Sequence, residues 1–309
     1  MTFQNVEVAR EAYHQKTKKA WGIVAIIVLG VLVFSLVPQF INGFGPDSVM
    51  PSICFAFVLF VFGVIITSFI TRKEAAAYRR AYKAYFVEQN LRNTFTNLQY
   101  SHEAGLNHQI LDSTGMINTG DRYSSNDLTI AKYKDVQFTQ ADAHIETEHT
   151  DSDGDTTYIT IFRGRFMIFE FPKKFNFKLE LIGRFGAARV PGKSQITGRK
   201  MQKISTESTE FNKLFKIYAE DGFEAYYILD PAFMTKIENI AKRYNDKVLF
   251  GFINNQLLIG LSDGKDSFEP PKASKPINEQ AEMEKIRSDI KVITDFVDEL
   301  SLDRKIFKA

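Results

Sequence analysis

Residues 20–41, AWGIVAIIVLGVLVFSLVPQFI, and residues 49–70, VMPSICFAFVLFVFGVIITSFI, decide the reading of this chain. Neither run contains Asp, Glu, Lys or Arg. A helix of about 20 apolar residues crosses a hydrocarbon core of about 30 Å. Seven residues, 42–48 (NGFGPDS), separate the two runs. The pattern therefore predicts a transmembrane helical hairpin with a short external loop. A cleaved signal has a shorter apolar run followed by a small-residue cleavage site, and here an equal run follows at once. Buried helices of soluble domains carry an apolar stripe, not an apolar circumference.

Charge sets the expected orientation. Lys16, Lys18 and Lys19 precede the first run, and Arg72, Lys73, Arg79 and Arg80 follow the second. The loop carries Asp47 and no basic residue. The positive-inside rule places both termini in the cytoplasm of a multi-pass protein of the cell (inner) membrane. Trp21 falls at the inner boundary, where an amphipathic ring is favoured.

Outward from the hairpin, the organisation reads as a cytoplasmic segment (1–19), the hairpin (20–70), a juxtamembrane helix (71–100), a soluble domain (101–276) and a C-terminal helix (277–309). The fold class is α+β: the transmembrane hairpin, then an antiparallel β-meander with flanking helices and an amphipathic C-terminal helix. The 309 residues carry a net charge of only +2, without the basic footprint of a nucleic-acid binder. The single cysteine, Cys54, lies in the second run, so no intrachain disulfide or Cys-based zinc site is available.

In the soluble region, residues 101–131 read as loops, punctuated by Gly105, Gly115 and Gly120. Residues 132–148 read as one or two strands. Residues 157–162 and 166–171 read as a hairpin around Arg163-Gly164. Residues 211–218 and 223–229 read as strands around Glu220-Asp221-Gly222, and residues 248–253 and 256–261 as a hairpin across Asn254-Asn255. Asp230-Pro231 is a helix start: a capping carboxylate, then a proline whose missing N–H costs nothing there. Residues 269–276, EPPKASKP, read as a stiff linker.

Several stretches, taken in order, resemble a known family. They are YRRAYKAYFVEQNLRNTFTNLQYSHEAGL (78–106), MINTGDRYSSNDLTIAKYKDVQFTQADAHIETE (116–148), FRGRFMIFEFPKKF (162–175), STESTEFNKLFKIYAEDGFEAYYILDPAFMTKI (205–237), VLFGFINNQLLIGL (248–261), FEP (268–270) and ITDFVDELSLDRKIF (293–307). Together they resemble the bacterial membrane proteins of the domain-of-unknown-function family DUF3137. The resemblance implies paired N-terminal spans and a cytoplasmic α+β domain. It implies no activity and no catalytic residues.

The residues themselves offer a few sites. Residues 187–194, AARVPGKS, approach a phosphate-loop pattern, but Pro191 removes an N–H and Gly198 interrupts the helix that should follow. Asp151, Asp153 and Asp155 open like a calcium loop, yet Thr156 and Phe162 stand where Gly and Glu are needed, so a polar turn is expected. His144 and Glu146 share one strand face. No catalytic, cofactor or metal site is read. Arg184, Arg189, Lys193, Arg199 and Lys200, in the basic loop 183–203, form a candidate anion or lipid site. Met283, Ile286, Ile290, Ile293, Val297 and Leu300 form a stripe that either packs on its own domain or offers a face for self-association or a partner helix. The expected role is a membrane-anchored interaction or scaffold protein, with the bilayer as its first partner. The alternative is a membrane-tethered ligand or anionic-lipid sensor, or an enzyme, using the basic loop.

Overall fold

A computed structural model describes residues 1–42, 46–194 and 197–302. It is mixed helix and sheet and divides into two compact units, Met1–Val87 with Glu269–Met283, and Glu88–Phe268 with Glu284–Ala309.

The first unit is built on two long helices, α1 (Phe3–Asn42) and α2 (Pro46–Tyr82). Residues 43–45 of the expected external loop lie outside the described residues, and the helices occupy the rest of it, Asn42 ending α1 and 46–48 opening α2. No buried residue occurs in the most apolar 18-residue window of α1. Ile26 is 72% exposed, Phe34 81% and Phe69 78%. These are two helices long and apolar enough to cross a membrane, and most of their apolar windows is uncovered, with 0% buried in α1 and 17% in α2. Where the helices touch, Gly63 leaves no room for a Cβ beside Val24, and Trp21 packs on Phe60 with centroids 5.8 Å apart.

The polar end of α1 continues the same helix and lies along the polar end of α2. Lys16 pairs with Glu74 at 2.6 Å, and Tyr13 stacks on Tyr78. After α2, the chain makes a π turn, Lys83–Val87. The expected linker 269–276 is not a free spacer but a strap bound to these helices. Its carbonyls accept from Tyr78 (to Pro271, 3.0 Å) and Arg10 (to Ala273, 2.6 Å), and Ile277 N donates to Glu7 at 3.0 Å. Glu269 pairs with the buried Lys83 at 2.8 Å. Outside regular structure, the Pro271 and Ala273 carbonyls take side-chain donors from the helices.

The second unit is a seven-stranded antiparallel sheet among the described residues. Its elements are α3 (Glu88–Thr94), β1 (Thr96–Ser101), α4 (His108–Thr114), β2 (Arg122–Tyr133), β3 (Val136–Thr150), β4 (Thr156–Ile182), β5 (Gln202–Ile204), α5 (Thr209–Leu214), β6 (Lys216–Ala219), α6 (Gly222–Ile228), α7 (Pro231–Arg243) and β7 (Val248–Leu261), with α8 (Glu279–Leu300) running in from the first unit. β4 is the axis. It pairs with β3 along its first half, with β6 along its last four residues, and with β7 from Arg165 to Ile182.

Several expected turns are absent. The region 101–131 is only partly loop, since β2 begins at Arg122. Arg163-Gly164 does not turn: β4 runs straight through it. Gly164 has φ 153° and lies against the Leu261 carbonyl, so the glycine permits a close strand approach. Asn254-Asn255 likewise does not reverse the chain. Asn254 takes φ 52°, which Asn tolerates, and the irregularity is absorbed as a register shift between β4 and β7. Of the strand expected at 211–218, residues 211–214 are helix and 216–218 are strand, in β6, while the strand expected at 223–229 is helix to Ile228. Ser208 accepts from Phe211 N, and Asp221 accepts from Phe223 N and Glu224 N, so two caps override the aromatic-rich strand signal. Asp230 caps α7 as expected, accepting from Phe233 N at 2.8 Å.

Both sheet faces are buried. Met116, Ile145, Phe162, Phe166, Phe185 and Leu258 belong to one core cluster. The helices supply other ring contacts, Phe233 of α7 to Phe252 and Phe296 of α8 to Phe250. The α8 stripe is consumed here: Ile286, Ile290, Ile293, Val297 and Leu300 are buried and Met283 is half-buried. This burial accords with the packed alternative of the two sequence readings.

Candidate functional site

The most concentrated polar chemistry in the second unit surrounds Asp142. Three local features bring it together. In β2, Asp127 takes φ 57° and the pairing to β3 shifts register between Asn126 and Thr129. This bulge turns Asp127 inward, where it is fully buried. In β3, Asp142 stands between Ala141 and Ala143, directly across from Asn126 on one side and Arg165 on the other. After β7, the loop 262–268 returns over this point and brings Asp266 and Ser267.

Each group has defined partners. Ser267 N donates to Asp142 Oδ2. Arg165 donates from Nη1 to the Asp289 carbonyl at 2.7 Å and from Nη2 to Ser267 Oγ. Tyr100 donates its hydroxyl to Asp127 at 2.5 Å. Asn126 Nδ2 donates to Asp127 at 2.9 Å and to Asp266 at 3.4 Å. Asp142 Oδ1 has no hydrogen bond, and neither does Arg165 Nε, which stands 3.9 Å from it. A cavity of about 120 Å³ opens beside these groups, lined by Ser124, Asn126, Asp142, His144, Arg163 and Asp266 among others.

Burial raises the Asp142 carboxyl to about 7, against the opposing pull of Arg165 and with a further push from the Asp127 charge. The native state thus holds this proton where the unfolded chain, near 3.8, has released it. Native stability from this group is full below about 4 and is lost as pH rises through about 7. In chelator, Asp142→Asn is expected to remove that part of the pH dependence. Thermal unfolding midpoints of both proteins between pH 4 and 8 check this, and parallel profiles would contradict it.

The sites expected from sequence scatter. Arg189 is bound at 2.7 Å to Asp112, a carboxylate that burial, the largest influence, raises but hydrogen bonds from His108 and Thr119 hold below its usual value. Arg184 binds the Asn245 carbonyl at 2.8 Å. Lys193, Arg199 and Lys200 are exposed, with Lys193 bridging to Lys200 in backbone pairing. The phosphate-loop pattern lacks its helix: residues 197–200 are not helical, and 195–196 lie outside the described residues. Asp151 caps its own turn, accepting from Asp153 N and Asp155 N at 3.0 and 2.9 Å. His144 Nε2 lies 3.0 Å from Thr160 Oγ1 and 3.8 Å from Glu146. The Asp127–Asp142–Asp266 grouping was not read from sequence. Its one local signal is an Asp between two alanines inside an apolar strand.

With this geometry described, the chain can be placed among known proteins. Residues 160–302 match a family model, Protein of unknown function (DUF3137). The resemblance expected from the sequence is therefore found over those residues. The DUF3137 match includes β4 from residue 160, with Arg165, Asp266 and Ser267, while Asp127 and Asp142 precede it. No curated protein matches the chain. Among solved structures, the chain is similar to the crystal structure of the mycobacterial trehalose monomycolate transport factor A, TtfA, at 8% identity and a TM-score of 0.37, covering 72% of this chain and 94% of that one.

Proposed function

We propose that this is a membrane-anchored interaction or scaffold protein, held in the cell membrane by the α1–α2 hairpin with both termini cytoplasmic. One observation carries the reading: most of the apolar surface of α1 and α2 is exposed, including Ile26, Phe34, Phe55, Phe62 and Phe69, and soluble surfaces rarely carry so large a contiguous apolar patch. A bilayer is the solvent that stabilises them. The basic flanks Lys16–Lys19 and Arg72–Arg80 support the orientation.

The alternative, an anionic-lipid sensor or enzyme at loop 183–203, has less to work with than its sequence offered, since Arg184 and Arg189 bind oxygens of the chain itself. Orientation is tested with epitope tags at either end of the full chain, probed with protease in intact spheroplasts and in inverted vesicles. Both tags are expected to be protected in spheroplasts and cleaved in inverted vesicles. The reverse pattern would overturn the orientation, and reproducible turnover by the purified protein would overturn the non-enzymatic role.

A further inference from the structure

We propose that Asp127, Asp142 and Asp266 bind a hard divalent cation, of the calcium, magnesium or manganese class, in the cavity at the β2 bulge. Each residue offers a carboxylate oxygen, and the three oxygens lie within 4.8 Å of one another. That is the spacing of ligands around one ion with oxygen distances of about 2.0–2.6 Å. The second, independent observation is the orphan oxygen. Asp142 is 2% exposed, lines the cavity, and leaves Oδ1 without a hydrogen bond. A buried carboxylate oxygen without a donor is costly, and native structures fill such positions with a partner.

Arg165 does not fill it. Two of its nitrogens are committed to Asp289 and Ser267, and Nε stays at 3.9 Å from Oδ1. It supplies charge to Asp142 without closing a bond. Arg163 stands at 4.0 Å from Asp266, at the cavity's rim. Three carboxylates stand here against these two guanidiniums and the Lys265 ammonium, which also lines the cavity. The donor set decides the class of ion. Carboxylates dominate, with the Ser124 hydroxyl and the Asn126 amide at the wall, and no cysteine is present. The His144 imidazole also lines the cavity, but its Nε2 lies 3.0 Å from Thr160 Oγ1, and the oxygen-rich remainder suits hard cations over zinc or copper. The cavity of about 120 Å³ also leaves space for water to complete the coordination.

The proposal does not depend on the membrane reading, because every ligand lies in the sheet unit. The full-length protein in detergent, stripped with chelator and dialysed, is titrated separately with calcium, magnesium and manganese chlorides. Thermal unfolding and calorimetry follow binding. At least one ion is expected to raise the unfolding midpoint saturably, with a dissociation constant below about 1 mM. Asp266 is exposed, so Asp266→Asn keeps the fold and its metal-free midpoint, and is expected to weaken binding about tenfold or more. No saturable shift with any of the three ions up to about 10 mM would overturn the proposal. Equal binding by Asp266→Asn would also overturn it, by showing that the ion sits elsewhere.

Discussion

Replacing Gly164 with Val is expected to destabilise the sheet unit by about 4 kcal/mol, among the largest costs a single substitution brings. Gly164 sits mid-strand in β4 at φ 153°, opposite Ala143 of β3. A Cβ there overlaps the Leu261 carbonyl and comes within 3.1 Å of Asp263 N. Both obstacles are backbone, so no side-chain rotation relieves them. A β-branched residue at positive φ adds its own strain. Relief requires moving the end of β7, and with it the loop that delivers Ser267 to Asp142. For a unit of this size the expected fall in unfolding midpoint is about 10 °C. Circular dichroism on the detergent-solubilised protein measures it, and a change within about 2 °C would show that β7 yields freely.

Arg165→Met is the second. Arg165 is buried with 1% exposure, and its guanidinium satisfies the Asp289 carbonyl and Ser267 and faces Asp142. Methionine fills much of the volume and removes all of that. Breaking a buried ion pair from one side costs about 3–5 kcal/mol, because the surviving charge stays buried. Asp142, already raised to about 7, then loses its opposing cation and holds its proton to still higher pH. The sign follows: stability from that proton is lost as pH rises through the native value, so the variant's deficit is larger at pH 8 than at pH 5. Adding Asp142→Leu to Arg165→Met removes the stranded charge and is expected to recover part of the loss. Denaturation midpoints of the two single variants and the double variant test it. Strictly additive losses would mean that Arg165 and Asp142 do not act as a pair.

How much of this could be read from the chain depended on the range of the signal. The hairpin was legible because a charge-free run of that length has few other uses. α7 was legible because Asp230-Pro231 is a local, two-residue device. The α8 stripe was legible as a buried face, but its occupant, the sheet, lies far away in sequence. Where local signals misled, tertiary contacts supplied the reason. Arg163-Gly164 looks like a turn, yet the glycine answers the approach of β7 from about 100 residues downstream. Phe223–Leu229 carries strand-forming side chains, yet Asp221 caps a helix there. The acidic cluster was the least legible part. Its members at 127, 142 and 266 meet only through a bulge and two strand registers, and neither is written in any one stretch. The strap was read as a spacer because its acceptors are backbone carbonyls, which leave no mark on sequence.

The membrane anchor is the claim on which the rest of the function stands, and alkaline extraction tests it most directly. Membranes from cells producing the full-length protein are washed with carbonate at high pH and pelleted. This releases peripheral proteins and leaves those inserted through the bilayer. The account predicts that the protein stays in the pellet and enters solution only with detergent. Release into the carbonate wash would contradict it, and would require some other cover for the exposed faces of α1 and α2.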